Sequence, residues 1–180
     1  LSVCLLHAVM TMLFVVLPGM LLNRYGFELE HHWRIYVPAV LGSVLLVFPL
    51  LRRLSLRKQE VEAVPLAFLV LGMTLGLMSM GGSLLTLLLF ALVFFLAFNL
   101  LEAAMPSVVS RLTGASGRGR KMGLYTTFQF LGAFAGGLGG GWLLGLGGSG
   151  MTLSVAGSMC ACWSVAMLLW LRSMDKRQQT

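Results

Sequence analysis

Six long apolar stretches, separated by short polar or glycine-rich segments, follow one another along the 180-residue chain. A helix needs about 20 predominantly apolar residues to cross the hydrocarbon core of a bilayer. Because a segment in lipid must satisfy its own backbone hydrogen bonds, each stretch is predicted to be a helix. The pattern therefore predicts an all-α polytopic membrane protein, with a single domain over residues 1–180. The six transmembrane spans are expected at about 1–22, 35–51, 63–80, 83–109, 122–146 and 151–171.

Composition agrees with this class of protein. The chain is 58% hydrophobic and 11% charged, with a mean hydropathy of +0.90, whereas a soluble domain carries about 25% charged residues. The three cysteines (Cys4, Cys160 and Cys162) all lie in apolar stretches. We expect them to pack as small apolar side chains.

The placement of basic residues predicts the orientation. Eleven of the 13 Lys and Arg residues fall after the second span, after the fourth span or in the C-terminal tail. Cytoplasmic loops carry such an excess, so both termini are predicted to be cytoplasmic. The net charge of +7 is then a topology signal, and no nucleic-acid partner is expected. The first span begins at Leu1 itself, so we expect the chain to be the later part of a longer protein.

Residues 145–150 (GLGGSG) satisfy the G-x-G-x-x-G pattern of a dinucleotide-binding turn. That motif needs a preceding strand, a following helix and an acidic residue about 20 positions later. Here it follows a membrane span, and the next acid is Asp175 in the tail on the opposite side. We expect no cofactor. The glycines repeat every fourth residue, a spacing that allows helices to pack closely; the residues concerned are Gly132, Gly136, Gly137, Gly140, Gly141 and Gly145.

Two ionisable side chains lie inside predicted spans. Glu102 is the only acid there, and a charge in lipid is costly enough that it should face a cavity or a cationic partner. It is either a proton-titrating or gating carboxylate, or one member of an ion pair with Arg52, Arg53 or Arg111. His7 shares a helical face with Thr11 and is either a proton-coupling residue or a hydrogen-bonded packing histidine.

Some of the remaining polar residues have two possible roles, and others have no expected chemical role. Tyr125 and Gln129 continue the glycine face of the fifth span, and either bond a neighbouring helix or line a solute path. Asn99 shares the face of Glu102. The outer segment ELEHHW (28–33) lacks helical metal-ligand spacing, so we expect a solvated loop and no metal site. No catalytic triad or paired-carboxylate set is present in the sequence, and we expect no enzyme.

Residues 99–142 resemble the tenth and eleventh helices of the major facilitator superfamily, in particular bacterial inner-membrane proton-driven drug exporters. The first span, LLHAVMTMLFVVLP, is similar to the seventh helix. The loop PLLRRLSLRK (49–58) keeps the basic residues of the superfamily's signature loop but lacks its Asp and glycines. The residues that carry the resemblance are Glu102, Pro106, Ser110, Arg111, Gly117, Gly123, Tyr125, Leu131, Gly132, Gly136, Gly137, Gly140 and Gly141.

The resemblance implies the C-terminal half of a twelve-helix transporter in the bacterial inner membrane, working by alternating access against a missing N-terminal half. His7, Asn99 and Glu102 would border the solute path. Thr11, Tyr125 and Gln129 are further candidates for the same path from their polar side chains. The resemblance further implies that Glu102 pairs with the Arg52/Arg53 loop in the outward-facing state, and that the glycine ladder packs against the N-terminal half. Small amphipathic molecules and protons are the expected substrates. Uptake of solutes and a non-transporting membrane module are the alternatives.

Overall fold

The computed structural model describes residues 1–113 and 117–178, without the side chains of 110–113, 118 and 175–178. Every regular element in these ranges is helical, so the all-α fold is confirmed. The helices are α1 (Ser2–Tyr25), a short 3-10 turn (Leu29–His31), α2 (Trp33–Leu56), α3 (Glu60–Met80), α4 (Leu84–Thr113) and α5 (Arg118–Gln178). Within the described residues, each of α1 to α5 is long and apolar enough to cross a membrane.

Helix α5 consists of two arms that meet at Gly148. The backbone there has φ 73° and ψ −169°, outside helical values. Glycine adopts a positive φ without steric cost, so the chain reverses at this one residue. The turn predicted at 147–150 is therefore narrower than expected. We call residues 118–147 the first arm and residues 149–178 the second arm.

The first arm packs against α1 through glycine. A side-chain carbon at Gly132 or Gly136 would overlap the backbone carbonyls of Cys4 and Ala8, and one at Gly140 would lie 3.1 Å from the Cα of Met12. These three glycines thus contact a helix of this chain. The expectation that they face a missing half is wrong, because α1 already occupies their surface.

The other predicted glycines behave differently. A side-chain carbon at Gly137 would lie 3.6 Å from Thr11 Cγ2, which is ordinary contact, and at Gly141 and Gly145 it would meet no described atom within 4 Å. Only one of the two predicted glycine rows is therefore used inside the described part of this chain.

The second arm packs against α3 at another glycine crossing. A side-chain carbon at Gly72 would lie 2.7 Å from the Gly157 carbonyl oxygen, and the Ser164 hydroxyl donates to the Pro65 carbonyl at 2.7 Å. We did not predict this crossing. The signal was present, because Gly72 and Gly76 also form a G-x-x-x-G pair.

Helix α2 lies against α4 and has one buried stripe, made of Ile35, Ala39, Ser43 and Val47 at every fourth position. Its opposite face carries large exposed apolar side chains, including Leu45 at 73% and Phe48 at 66% exposure. Such a face is stable in lipid and unstable in water. The helix also extends past the apolar stretch, so Arg52 and Arg53 belong to its last turns.

Candidate functional site: a polar cluster between three helices

His7, Glu102 and Gln129 meet where α1, α4 and the first arm of α5 come together. Nε2 of His7 lies 3.5 Å from Oε2 of Glu102 and 2.9 Å from Nε2 of Gln129. The Gln129 amide nitrogen also lies 3.4 Å from Oε1 of Glu102. Residues that are far apart in the sequence thus form one hydrogen-bonded group, which we call the polar cluster.

The position of His7 is fixed by its own helix. Its residue exposure is 6%, and Nδ1 lies 3.0 Å from the carbonyl oxygen of Val3, one turn earlier. A carbonyl only accepts, so Nδ1 carries a proton and donates. Thr11 does not join the polar cluster, because its hydroxyl donates to the His7 carbonyl at 2.8 Å.

Glu102 is incompletely satisfied. Its Oε2 atom is inaccessible and accepts no hydrogen bond within the described residues, although 34% of the whole side chain is exposed. An ionised carboxylate in a membrane-spanning helix needs a cation, a donor or water. Oε2 lies 3.5 Å from Nε2 of His7, so the protonation of this pair decides whether the carboxylate has a donor.

Apolar and aromatic groups surround the polar cluster. The Phe98 ring contacts the His7 ring edge-on, with the two ring centroids 5.8 Å apart. Tyr125 lies one turn before Gln129, and its hydroxyl is buried with no hydrogen-bond partner among the described residues. A low local dielectric strengthens the interactions of charges and leaves unpaired groups costly.

Asn99 belongs to a separate contact. Its side-chain amide donates to Ser43 Oγ of α2 at 2.8 Å, and Ser43 in turn donates to the Val40 carbonyl at 2.7 Å. The predicted face shared by Asn99 and Glu102 is thus divided between two neighbouring helices. Ser43 was not predicted, although it is the polar member of the buried α2 stripe.

Two of the predicted cytoplasmic arginines, Arg52 and Arg53, are not part of the polar cluster. Both are exposed, and within the described side chains the titratable group in contact with Glu102 is His7. The side chain of Arg111 lies outside the described residues. Pairing of Glu102 with these arginines in an outward-facing state stays a prediction.

An apolar cavity of about 360 Å³ lies at the end of the bundle where α1 begins. Tyr125 forms part of its wall, so the cavity adjoins the helix arm that carries Gln129. The other lining residues come from the first turn of α1 and from α3, α4 and the second arm: Leu1, Ser2, Val3, Val61, Val64, Met105, Val108, Val109, Met167, Trp170, Leu171 and Met174. Ligand pockets commonly have volumes of about 300–1,000 Å³ and largely apolar walls.

The outer segment 28–33 is more ordered than the predicted solvated loop. His32 has 6% exposure, and its Nε2 lies 2.8 Å from the Phe27 carbonyl oxygen. Nδ1 of His31 lies 3.9 Å from Oε2 of Glu28 at the surface. In the part of the chain that the structure describes, no three His, Cys, Asp or Glu residues are grouped to hold a metal ion.

Two curated proteins are similar in sequence to this chain. The inner membrane transport protein YajR of Escherichia coli K12 is 35% identical over 157 residues, covering 87% of this chain and 34% of that protein. An uncharacterized transporter of Buchnera aphidicola subsp. Acyrthosiphon pisum is 32% identical over 138 residues, covering 76% of this chain and 35% of that protein. No family model matches the chain.

The chain spans about a third of the length of each of these relatives. Both are named as transport proteins, and the similarity covers three quarters or more of this chain. Taken with the apolar helices, the similarity makes this chain a multi-pass membrane protein related to transporters.

Proposed function

We propose that this chain is the C-terminal half of a secondary active transporter of the major facilitator superfamily, which exports small amphipathic molecules in exchange for protons. The observation that carries the proposal is the contact of His7 with Glu102 inside the apolar helices. Histidine is the side chain whose unperturbed charge change falls between pH 5 and 8. A partly buried carboxylate beside it gives a site that can accept and release one proton.

Proton binding at this site changes the free energy of burying the His7–Glu102 pair. With a neutral ring and an ionised Glu102 the pair carries one negative charge, and an added proton removes it. A net charge between membrane helices is costly, so proton binding favours the conformation that buries the pair most. Two conformations that differ in proton affinity are what coupling requires.

The proposed substrate class rests on the apolar cavity and on the resemblance of residues 99–142 to drug exporters. The cavity wall is almost entirely aliphatic and aromatic, and the Tyr125 hydroxyl beside it is buried with no hydrogen-bond partner among the described residues. A small molecule with a large apolar body and few polar atoms fits such a wall.

The proposed partners are the bilayer, an N-terminal six-helix half, the substrate and protons. The short coverage of both relatives supports a second half outside this chain. The proposed location is the bacterial inner membrane, since one relative is named as an inner membrane protein. In this arrangement α1 and α4 border the path between the halves, which would bring the polar cluster close to it.

Export by the full-length protein tests this function. Bacterial cells that lack their main drug exporters would carry the wild type, Glu102→Gln or Glu62→Gln, and ethidium export and tolerance to ethidium would be measured. Glu62 is an exposed acid on α3 and serves as the matched control. We expect export by the wild type and by Glu62→Gln, and a loss of tenfold or more in Glu102→Gln. No export by the wild type, or equal export by all three, would contradict the proposal.

A further inference from the structure

The tautomer of His7 follows from two of its contacts. Nδ1 donates to the Val3 carbonyl oxygen, so in the neutral ring Nε2 has no hydrogen and can only accept. The group facing it at 2.9 Å is the amide nitrogen of Gln129, which can only donate. With the Gln129 amide in this orientation, His7 is neutral and its Nε2 accepts a hydrogen bond from Gln129.

The amide nitrogen of Gln129 lies 2.9 Å from Nε2 of His7 and 3.4 Å from Oε1 of Glu102. Its two hydrogens are enough to serve both acceptors. A proton that binds Nε2 of His7 turns this nitrogen into a donor, which then faces the Gln129 amide donor at the same short distance. Two donors cannot share a hydrogen bond, so the Gln129 amide has to turn and present its oxygen.

The backbone of the first arm cannot relieve this conflict. Gly132 lies less than one turn after Gln129, with its backbone against the Cys4 carbonyl, and Gly136 lies similarly against Ala8. Close-packed interiors resist displacement. The response to a proton is thus expected in the side chains, where a turn of the Gln129 amide also withdraws its donor from Glu102.

We infer that Gln129 is a positioning residue that sets the proton affinity of the His7–Glu102 pair and changes its amide orientation when the pair is protonated. The inference rests on the proposed function. The titratable groups that face His7 in the described residues are Glu102 of α4 and, beside Glu102, Tyr125 of the first arm. Gln129 is the neutral group that bonds to both members of the pair.

The first test measures the pH profile of ethidium export by the full-length protein. Gln129→Met keeps the approximate shape of the side chain but donates no hydrogen bond, so the pair binds its proton more readily. We expect the midpoint of the profile to rise by about one pH unit, a tenfold change in proton concentration, for the loss of a hydrogen bond. Gln129→Glu should raise the midpoint of the profile further. Thr127→Ala, which removes a hydroxyl bonded to its own helix, should leave it unchanged.

The outcomes separate this inference from the proposed function. If His7→Gln abolishes the pH dependence but Gln129→Met leaves the midpoint at the wild-type value, the role of Gln129 is overturned and the proposed function stands. If His7→Gln and Glu102→Gln both keep the wild-type profile, both are overturned.

A second measurement needs no transport activity. The full-length protein, labelled with nitrogen-15 at histidine and placed in lipid nanodiscs, gives the tautomer of His7 by NMR, with His7→Gln used for assignment. We expect the neutral ring to carry its hydrogen on Nδ1 in the wild type. A ring protonated at Nε2 would overturn the inference whatever the transport assays show.

Discussion

At the scale of single residues, the polar side chains within the helices differ in what they bond. Asn99 and Ser43 join α4 to α2 with a hydrogen bond between two neutral groups. His7, Glu102 and Gln129 instead include groups that can gain or lose a proton. Helix packing alone explains the contact of Asn99 with Ser43. The polar cluster, in contrast, leaves Glu102 Oε2 without a hydrogen bond in the described residues.

This difference predicts the effect of Ser43→Ala. The substitution removes the acceptor of Asn99, and a hydrogen bond between membrane helices contributes about 0.6 kcal/mol, with a maximum of about 1.7. We expect the free energy of unfolding of the full-length protein in detergent to fall by about 0.5–1 kcal/mol, with the pH profile of export unchanged. Ser158→Ala is the control, because this exposed hydroxyl bonds only within its own helix. Equal losses of stability in Ser43→Ala and Ser158→Ala would contradict a stabilising hydrogen bond between Asn99 and Ser43.

At the scale of helices, glycine sets which side chains can meet. The backbone contacts of Gly132 and Gly136 with Cys4 and Ala8 bring the first arm close to α1. Gln129 is one turn from this contact and His7 lies between its two α1 partners, so the close approach places these two side chains within hydrogen-bonding distance. The packing of the first arm on α1 and the geometry of the polar cluster therefore depend on the same short stretch of α1 and α5.

The helix contact predicts unequal effects of two neighbouring substitutions. A side-chain carbon at Gly136 would overlap the Ala8 carbonyl, whereas one at Gly139 would meet no described atom within 4 Å. We expect Gly136→Ala to destabilise the full-length protein by about 1–3 kcal/mol, the usual cost of overpacking. Gly139→Ala should be neutral or slightly stabilising, since alanine favours helix. Thermal unfolding in detergent measures both, and a similar loss in the two variants would contradict the crossing.

The sequence predicts the elements better than their contacts. An apolar stretch indicates a span, and a lone Glu102 or His7 within it indicates a functional candidate, because each signal depends on local residues alone. Which helix covers a glycine row depends on the rotation and depth of two helices, and local patterns do not specify either. For this reason Gly132 was assigned to a missing half, and the Gly72–Gly157 crossing was not predicted.

At the scale of the whole molecule, the charge distribution and the site indicate the same end of the bundle. Most of the basic residues fall at the predicted cytoplasmic ends of the helices, and the apolar cavity lies where α1 begins, at that end. The predicted orientation therefore places the apolar cavity at the cytoplasmic end of the bundle.

The central claim is that the His7–Glu102 pair couples proton movement to solute movement, and proton flux tests it most directly. The full-length protein would be reconstituted in liposomes that contain a pH-sensitive dye, and an ethidium gradient would be imposed. We predict a proton flux opposite to the ethidium movement in the wild type and in Glu62→Gln, and none in Glu102→Gln. An undiminished proton flux in Glu102→Gln would contradict the account.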